Sequence, residues 1–481
     1  MKKNGKESLV SSIIGFSLAS WITTLIGLVV VPISTRIILP DELGKINLFN
    51  SVVSIAYPLF CFGLDHGYMR LFNEIDDRQR KFLWTKSIII SLGIITAGAV
   101  IILPFREAVS FAIVGEKTRS VFSMLVISLC SYTIERYILV RYRMTDEAFR
   151  YTSFALVCSL VNKVIFILPA LFGMVDYKSA LIFTTVFNIA LIFLTMLFSK
   201  RYILFKGGAG TKRALIQESF AFGWPLMLVV VINQITQNAP KFFLKEYTDY
   251  TSVAIFASAA TIASVVTIAQ SGFSLVWTPY VYANYKDKPE EIDRLHRCVV
   301  CIITGIAAIL ISFQHLFVWL LGSYYRNITT FLPIMVLSPV LLMFGEITGI
   351  GINIAKKTFL HFIYNAAGVA ITVLFCIVLI PIWGSVGAAI AALLGGLTVF
   401  IIRTFLAKKY YSPVYSYKYI IFSIVVLSAL AGGNCIYDGN ILISSILSAI
   451  LFLFGLWFYR KQLAALFVLF MQYYKQIILR N

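Results

Sequence analysis

Lys163 lies about thirteen residues into an apolar stretch near 150–172, which at ~1.5 Å per helical residue puts its ammonium near the middle of a bilayer. A charge at that depth costs about 2.5–3.5 kcal/mol on insertion scales, and such residues usually face a bundle interior or a wet cavity. Lys163 therefore either lines a cavity or pairs with a neighbouring carboxylate or carbonyl. Arg36 and Lys241 stand toward the ends of two other apolar stretches. Each either snorkels to the interface or faces a cavity. Glu346 is an acid inside a stretch, placed to carry a coupling proton or to pair with a base. Asn233, Gln234, Gln237 and Asn238 crowd together shortly after Pro225. A polar stripe beside a helix-breaking proline suits a wet cavity, an opened helix or hydrogen bonding between helices. Gln270, Asn162 and Asn188 are weaker candidates of that kind. Asp65, and the neighbours Glu135 and Arg136, fall at stretch ends, where a cap and a local ion pair are expected. The sign of the embedded charge carries the chemistry. Lys163, Arg36 and Lys241 would repel a cationic ligand and suit an anion, above all a diphosphate, for which Lys and Arg are natural donors.

Apolar helices must position these residues. Of the 481 residues 59% are hydrophobic and only 13% are charged, and the mean hydropathy is +0.86. Such a composition excludes an ordinary soluble protein. A span needs about 20 apolar residues, and the sequence divides into fourteen spans: 10–38, 42–64, 82–103, 118–140, 150–172, 178–198, 215–244, 250–283, 297–321, 329–353, 360–382, 385–407, 417–436 and 440–459. Of the 41 Lys and Arg residues, 31 fall on alternate gaps, including Arg403, Lys408 and Lys409 after the twelfth span. Short cytoplasmic loops retain positive charge, so both ends of the chain are expected in the cytoplasm. The net charge of +19 then reflects topology and contact with anionic lipid, not nucleic acid. The run Lys2, Lys3, Lys6 precedes a first span too long for a cleaved signal peptide, so it is expected to stay as an anchor. Cys298 and Cys301 open a membrane helix with no second pair, and His66, His296, His315 and His361 show no ligand spacing. No metal or cofactor is expected.

No gap is long enough for an extramembrane catalytic domain. Residues 207–213, rich in glycine, read as a cytoplasmic linker dividing a six-helix lobe, 1–206, from a second, 214–410. Spans thirteen and fourteen (411–459) follow, and 460–481 suit a helix lying along the cytoplasmic interface. A short internal repeat supports the division. Arg36-Ile-Ile-Leu-Pro-Asp41 ends span one and Lys241-Phe-Phe-Leu-Lys-Glu246 ends span seven. Paired halves of this kind are a transporter signature, with substrate handled at their interface.

Several segments carry a family resemblance. The segment from Pro32 through Ser-Thr-Arg36 and Leu-Pro-Asp41 to Gly44 resembles the opening pattern of Wzx-type polysaccharide flippases of the MOP superfamily. Phe222-Gly-Trp-Pro-Leu-Met227 with Asn233-Gln234, Trp277-Thr-Pro-Tyr280, and Gly384-Ser-Val-Gly-Ala-Ala-Ile-Ala-Ala392 resemble that family's seventh, eighth and twelfth spans. Where many members carry Asp-Arg near the end of span seven, this chain has Pro240-Lys241, which keeps only the positive charge. The resemblance implies an all-α, MATE-like fold of two six-helix lobes around a central cavity, with two further C-terminal helices. It implies a multi-pass protein of the bacterial inner membrane, not an enzyme, that moves undecaprenyl-diphosphate-linked oligosaccharide to the outer leaflet by alternating access. Coupling to H+ or Na+, contact with membrane lipids and association with other polysaccharide-assembly membrane proteins go with that expectation. Alternatives are a peptidoglycan-precursor flippase or multidrug exporter of the same superfamily, or a membrane-embedded glycosyltransferase or ligase.

Overall fold

Runs of apolar residues this long fold as helices because a bilayer offers no partner for a free peptide group. The computed structural model describes residues 5–199, 202–203, 212–357, 359–411, 416–437 and 440–464. Residues 207–211 of the expected linker and 465–481 of the expected tail lie outside these, as do Lys2 and Lys3. Lys212 already opens a helix, and 460–464 are helical. Two compact units divide the chain at Ser258 and Ala259.

The first unit contains α1 (Gly5–Ile37), α2 (Pro40–Cys61), α3 (Leu64–Leu71), α4 (Asp77–Ile102), α5 (Arg106–Val114), α6 (Arg119–Met144), α7 (Ala148–Lys163), α8 (Leu168–Leu171), α9 (Tyr177–Ser199) and α10 (Lys212–Tyr247). Helix α11 (Tyr250–Ala263) crosses the division. The second unit continues with α12 (Val265–Asn284), α13 (Pro289–Ser312), α14 (Gln314–Trp319), α15 (Leu332–Thr348), α16 (Ile350–Ile354), α17 (Phe359–Lys408), α18 (Tyr417–Ile436) and α19 (Ile441–Phe458). Among the described residues ten helices are long and apolar enough to cross a membrane, or up to twelve if each of two bent pairs is one span. The expected spans eleven and twelve both lie in α17, which that count takes once. The protein is therefore an all-helical, multi-pass membrane protein.

Many apolar residues face outward, while several polar ones join the apolar core. Ile101 is 73% exposed and Phe193 63%, while Ser131 and Asn188 are fully buried. Within the first unit α6 packs on α2, α4, α7 and α9, α1 on α7, and α10 on α2 and α3. Glycine permits the last of these contacts. A Cβ at Gly223 would fall 1.8 Å from the Gly63 carbonyl oxygen, so the α10 and α3 backbones approach with nothing between them. Gly63 also has φ 71° and joins α2 to α3 across a bend of 52°, a conformation that glycine adopts at little cost. The Phe222-Gly223-Trp224-Pro225 segment thus has a packing role.

In the second unit α15 packs on α17, α13 and α18, and α18 on α19. Helix α17 is a hairpin of two arms broken at Gly384, with φ 52° and ψ −126°. A Cβ at Gly387 would fall 2.3 Å from the Leu379 carbonyl, and one at Gly395 1.9 Å from the Thr372 hydroxyl. Small residues let the arms close on each other, as the Gly384–Ala392 pattern predicts.

Candidate functional site

Helix α10 brings together more of the polar candidates than any other element. Gln234, Asn238 and Lys241 recur at helical spacing and so share one stripe. Asn238 Nδ2 donates to the Gln234 carbonyl at 2.9 Å, which turns its oxygen toward Lys241. Lys241 Nζ donates to that Oδ1 at 3.0 Å and to Ser51 Oγ, on α2, at 3.2 Å. Ser51 in turn gives its own proton to the Asn47 carbonyl at 2.8 Å, leaving lone pairs for the ammonium. Both partners of Lys241 are neutral, and they use two of its three donors. Pro240 adds to the polarity, because it has no N–H for the carbonyl one turn earlier. Asn233 and Gln237, one turn apart, form an exposed stripe beside this one.

The other candidates lie elsewhere. Lys163 ends α7 and donates to the Thr23 carbonyl of α1 at 2.9 Å. Of the two roles open to it, the carbonyl-paired one is therefore present. Gly27, one turn beyond Thr23, has no side chain to cover that carbonyl. Arg36 is exposed in the last turn of α1, so the two ends of the sequence repeat differ: Lys241 turns inward and Arg36 does not. Glu346, in the second unit, accepts from Gln270 Nε2 of α12 at 2.6 Å.

Three groupings depart from sequence expectation. Glu135 and Arg136 do not pair with each other, because consecutive residues on a helix point about 100° apart. Arg136 Nε instead donates to Asp65 Oδ2 on α3 at 2.8 Å, and that carboxylate is 4% exposed. Asp65 is thus an ion-pair partner as well as a helix-start residue. Glu135 faces the opposite way and accepts from Asn162 Nδ2 at 3.2 and 3.4 Å, with Ser131 Oγ also at 3.2 Å. Arg403, expected in a cytoplasmic gap, lies inside α17, with its guanidinium 5.4 Å from the centre of the Tyr364 ring. The signal available beforehand was Gly345 and Gly349, one turn apart on α15 and facing it.

Chemically, the α10 site is a cation held by neutral oxygens beside exposed amides, an arrangement that can bind and orient an anion. The lipid II flippase MurJ, in an inward closed conformation, matches this fold with a TM-score of 0.66 over 94% of this chain and 100% of that one, at 15% identity. An outward-facing multidrug resistance MATE family transporter of the MOP superfamily gives 0.57 over 85% and 96%, at 17% identity. A MATE crystal structure in complex with MaD3S gives 0.55 over 85% and 96%, at 19% identity. No curated protein matches the sequence. The chain thus shares the fold of these structures. Residues 9–283 match the family model described as polysaccharide biosynthesis protein, more than half of the chain, and the chain belongs to that family.

Proposed function

We propose that the protein is a flippase that carries undecaprenyl-diphosphate-linked oligosaccharide repeat units from the cytoplasmic to the outer leaflet of the bacterial inner membrane. The observation that carries this reading is the Lys241–Ser51 contact at 3.2 Å. On a division into six-helix lobes at 207–213, α2 belongs to the first lobe and α10 to the second. Both residues lie in the first compact unit, and on that sequence division their contact would bridge the two halves, between which such transporters handle substrate. Lys241 has a third N–H to offer a diphosphate oxygen, and Asn233 and Gln237 supply amides for the sugar. Gln234 orients Asn238. Lys163 and Arg36 extend the positive charge along the path.

Alternating access in this reading parts α10 from α2 and α3, exchanging the Lys241 contacts for cargo contacts. Glu346 is the proposed coupling group for H+ or Na+, since Gln270 holds it by a neutral hydrogen bond. No covalent chemistry is asked of any residue. The positive sign of the site favours a lipid diphosphate over the cationic cargo of a drug exporter.

The test is a deletion strain. Lipid-linked repeat units should accumulate in the cytoplasmic leaflet and clear when the wild-type gene is restored. Accumulation in the outer leaflet would indicate a ligase and sink the proposal. In reconstituted vesicles Glu346→Gln should abolish the dependence of transport on an ion gradient; unchanged dependence removes Glu346 from the coupling role.

A further inference from the structure

We infer that Arg403 and its glycine notch in the second unit form a phosphate-binding site, entered from a rim of lysines. A Cβ at Gly349 would fall 2.4 Å from Arg403 Nε, and one at Gly345 3.7 Å from Arg403 Cδ. The side chain therefore lies against the end of α15, where a side chain at Gly349 would displace it, while Gly345 is in ordinary contact with it. An arginine near a helix end ordinarily snorkels to water; this one leans sideways, under the face of Tyr364.

Its neighbours are already committed. The Tyr364 hydroxyl is hydrogen-bonded to His361 Nδ1, and His361 Nε2 lies 2.8 Å from Asn353 Oδ1. Because that amide oxygen can only accept, Nε2 carries the proton and Nδ1 takes the one from tyrosine. Glu346, between the two glycines of the notch, is bonded to Gln270. The guanidinium forms no hydrogen bond or ion pair among the described residues, and its Nε is shielded from solvent. A shielded donor that lacks an acceptor is costly. A phosphate oxygen pair matches its planar fork of donors.

The surroundings carry the same sign. A Cβ at Gly351 would fall 2.5 Å from the Ala407 carbonyl and 3.1 Å from Tyr411 Cβ, which sets the first turn of α16 beside the end of α17. Lys356 and Lys357 follow the short α16, and Lys408 and Lys409 stand at the end of α17, so four lysines flank this contact in sequence. All four are exposed and none forms an ion pair among the described residues. The rim attracts an anion, and Arg403, between one and two turns further in along α17, seats it. As the place where the cargo diphosphate is loaded, the site rests on the flippase reading; as a phosphate site, it rests on its own geometry.

The experiment uses the full chain in phosphatidylcholine nanodiscs, titrated with inorganic pyrophosphate by calorimetry. Binding should weaken by about tenfold or more in Arg403→Ala. Arg403→Lys keeps the charge and should retain part of the affinity. Gly349→Ala displaces the guanidinium without removing it and should weaken binding as well. Wild-type affinity in both Arg403→Ala and Gly349→Ala, or no binding by the wild type, overturns the inference. Nanodiscs containing phosphatidylglycerol separate the sources: competition supports the site as a seat for lipid headgroups, and its absence supports it as a seat for phosphate from solution. Arg403-dependent pyrophosphate binding by a chain that moves no lipid-linked sugar would uphold this site while refuting the flippase reading.

Discussion

Replacing Lys241 with methionine should separate folding from transport. The lysine makes two hydrogen bonds, to Asn238 Oδ1 at 3.0 Å and Ser51 Oγ at 3.2 Å. At the low end of ~1.5 kcal/mol per bond to a charged group, losing both costs about 3 kcal/mol. Removing a charge toward a span end returns less than the about 2.5–3.5 kcal/mol of a helix centre. The partners are not stranded, because Ser51 still donates to Asn47 and Asn238 to Gln234. The two effects partly cancel, so Lys241→Met should cost clearly less than about 3 kcal/mol of folding stability. Transport should respond differently. A lost charge-assisted contact to a diphosphate is worth about 1.5–3 kcal/mol, or roughly ten- to a hundredfold. The assays are thermal unfolding of purified protein in detergent and polysaccharide export in a deletion strain, normalised to protein amount. A stability loss of about 3 kcal/mol with normal export per folded molecule would make the lysine structural. Full export at wild-type stability would show that cargo does not use it.

Breaking the Asp65–Arg136 pair by Asp65→Asn or Arg136→Leu should cost about 3 kcal/mol in thermal or denaturant unfolding, the low end for buried pairs because Arg136 is one-third exposed; the double variant should cost clearly less than the sum, and simple additivity would show that the two do not interact. Gly223→Ala should lower the melting temperature far more than Gly98→Ala, because its Cβ would meet the Gly63 oxygen at 1.8 Å whereas that of Gly98 meets only Phe60 at 3.7 Å; equal effects would mean that α10 and α3 do not pack this closely. The hydrogen bond from Lys178, then that from Tyr177, holds the Glu116 carboxyl below its ordinary range despite partial burial. A carboxyl with a depressed folded pKa contributes stability that is present above its unfolded value and lost as pH falls through the folded one. A modest loss of stability below about pH 4.3, the ordinary Glu value, is expected, and Glu116→Gln should flatten that part of the profile; an unaltered profile would remove the pair from the acid response.

The polar stripe on α10 was legible as spacing, but Lys241 was not distinguishable from Arg36 by sequence. Each follows an apolar run with a similar motif, and the difference is a partner far away in the chain: Ser51 stands opposite Lys241, while Arg36 stays exposed. Glu135 and Arg136 were misread for a related reason. Adjacency in sequence resembles contact, yet the helix sends the two to opposite neighbours, Asn162 and Asp65. Arg403 was masked by the rule that found the topology, since a basic residue near a helix end needs no further explanation until its side chain is seen in a glycine notch.

Hydropathy, the distribution of charge and the small-residue segments determined by themselves that this is a polytopic helical membrane protein. Those properties are set residue by residue against the bilayer, and a chain has few ways to satisfy its peptide groups there. Tertiary structure decided which embedded charges are paired, which are turned to a carbonyl and which keep a donor to spare. That choice depends on the rotation of each helix about its axis and on how closely glycine lets the next one approach, and neither is encoded in any single span.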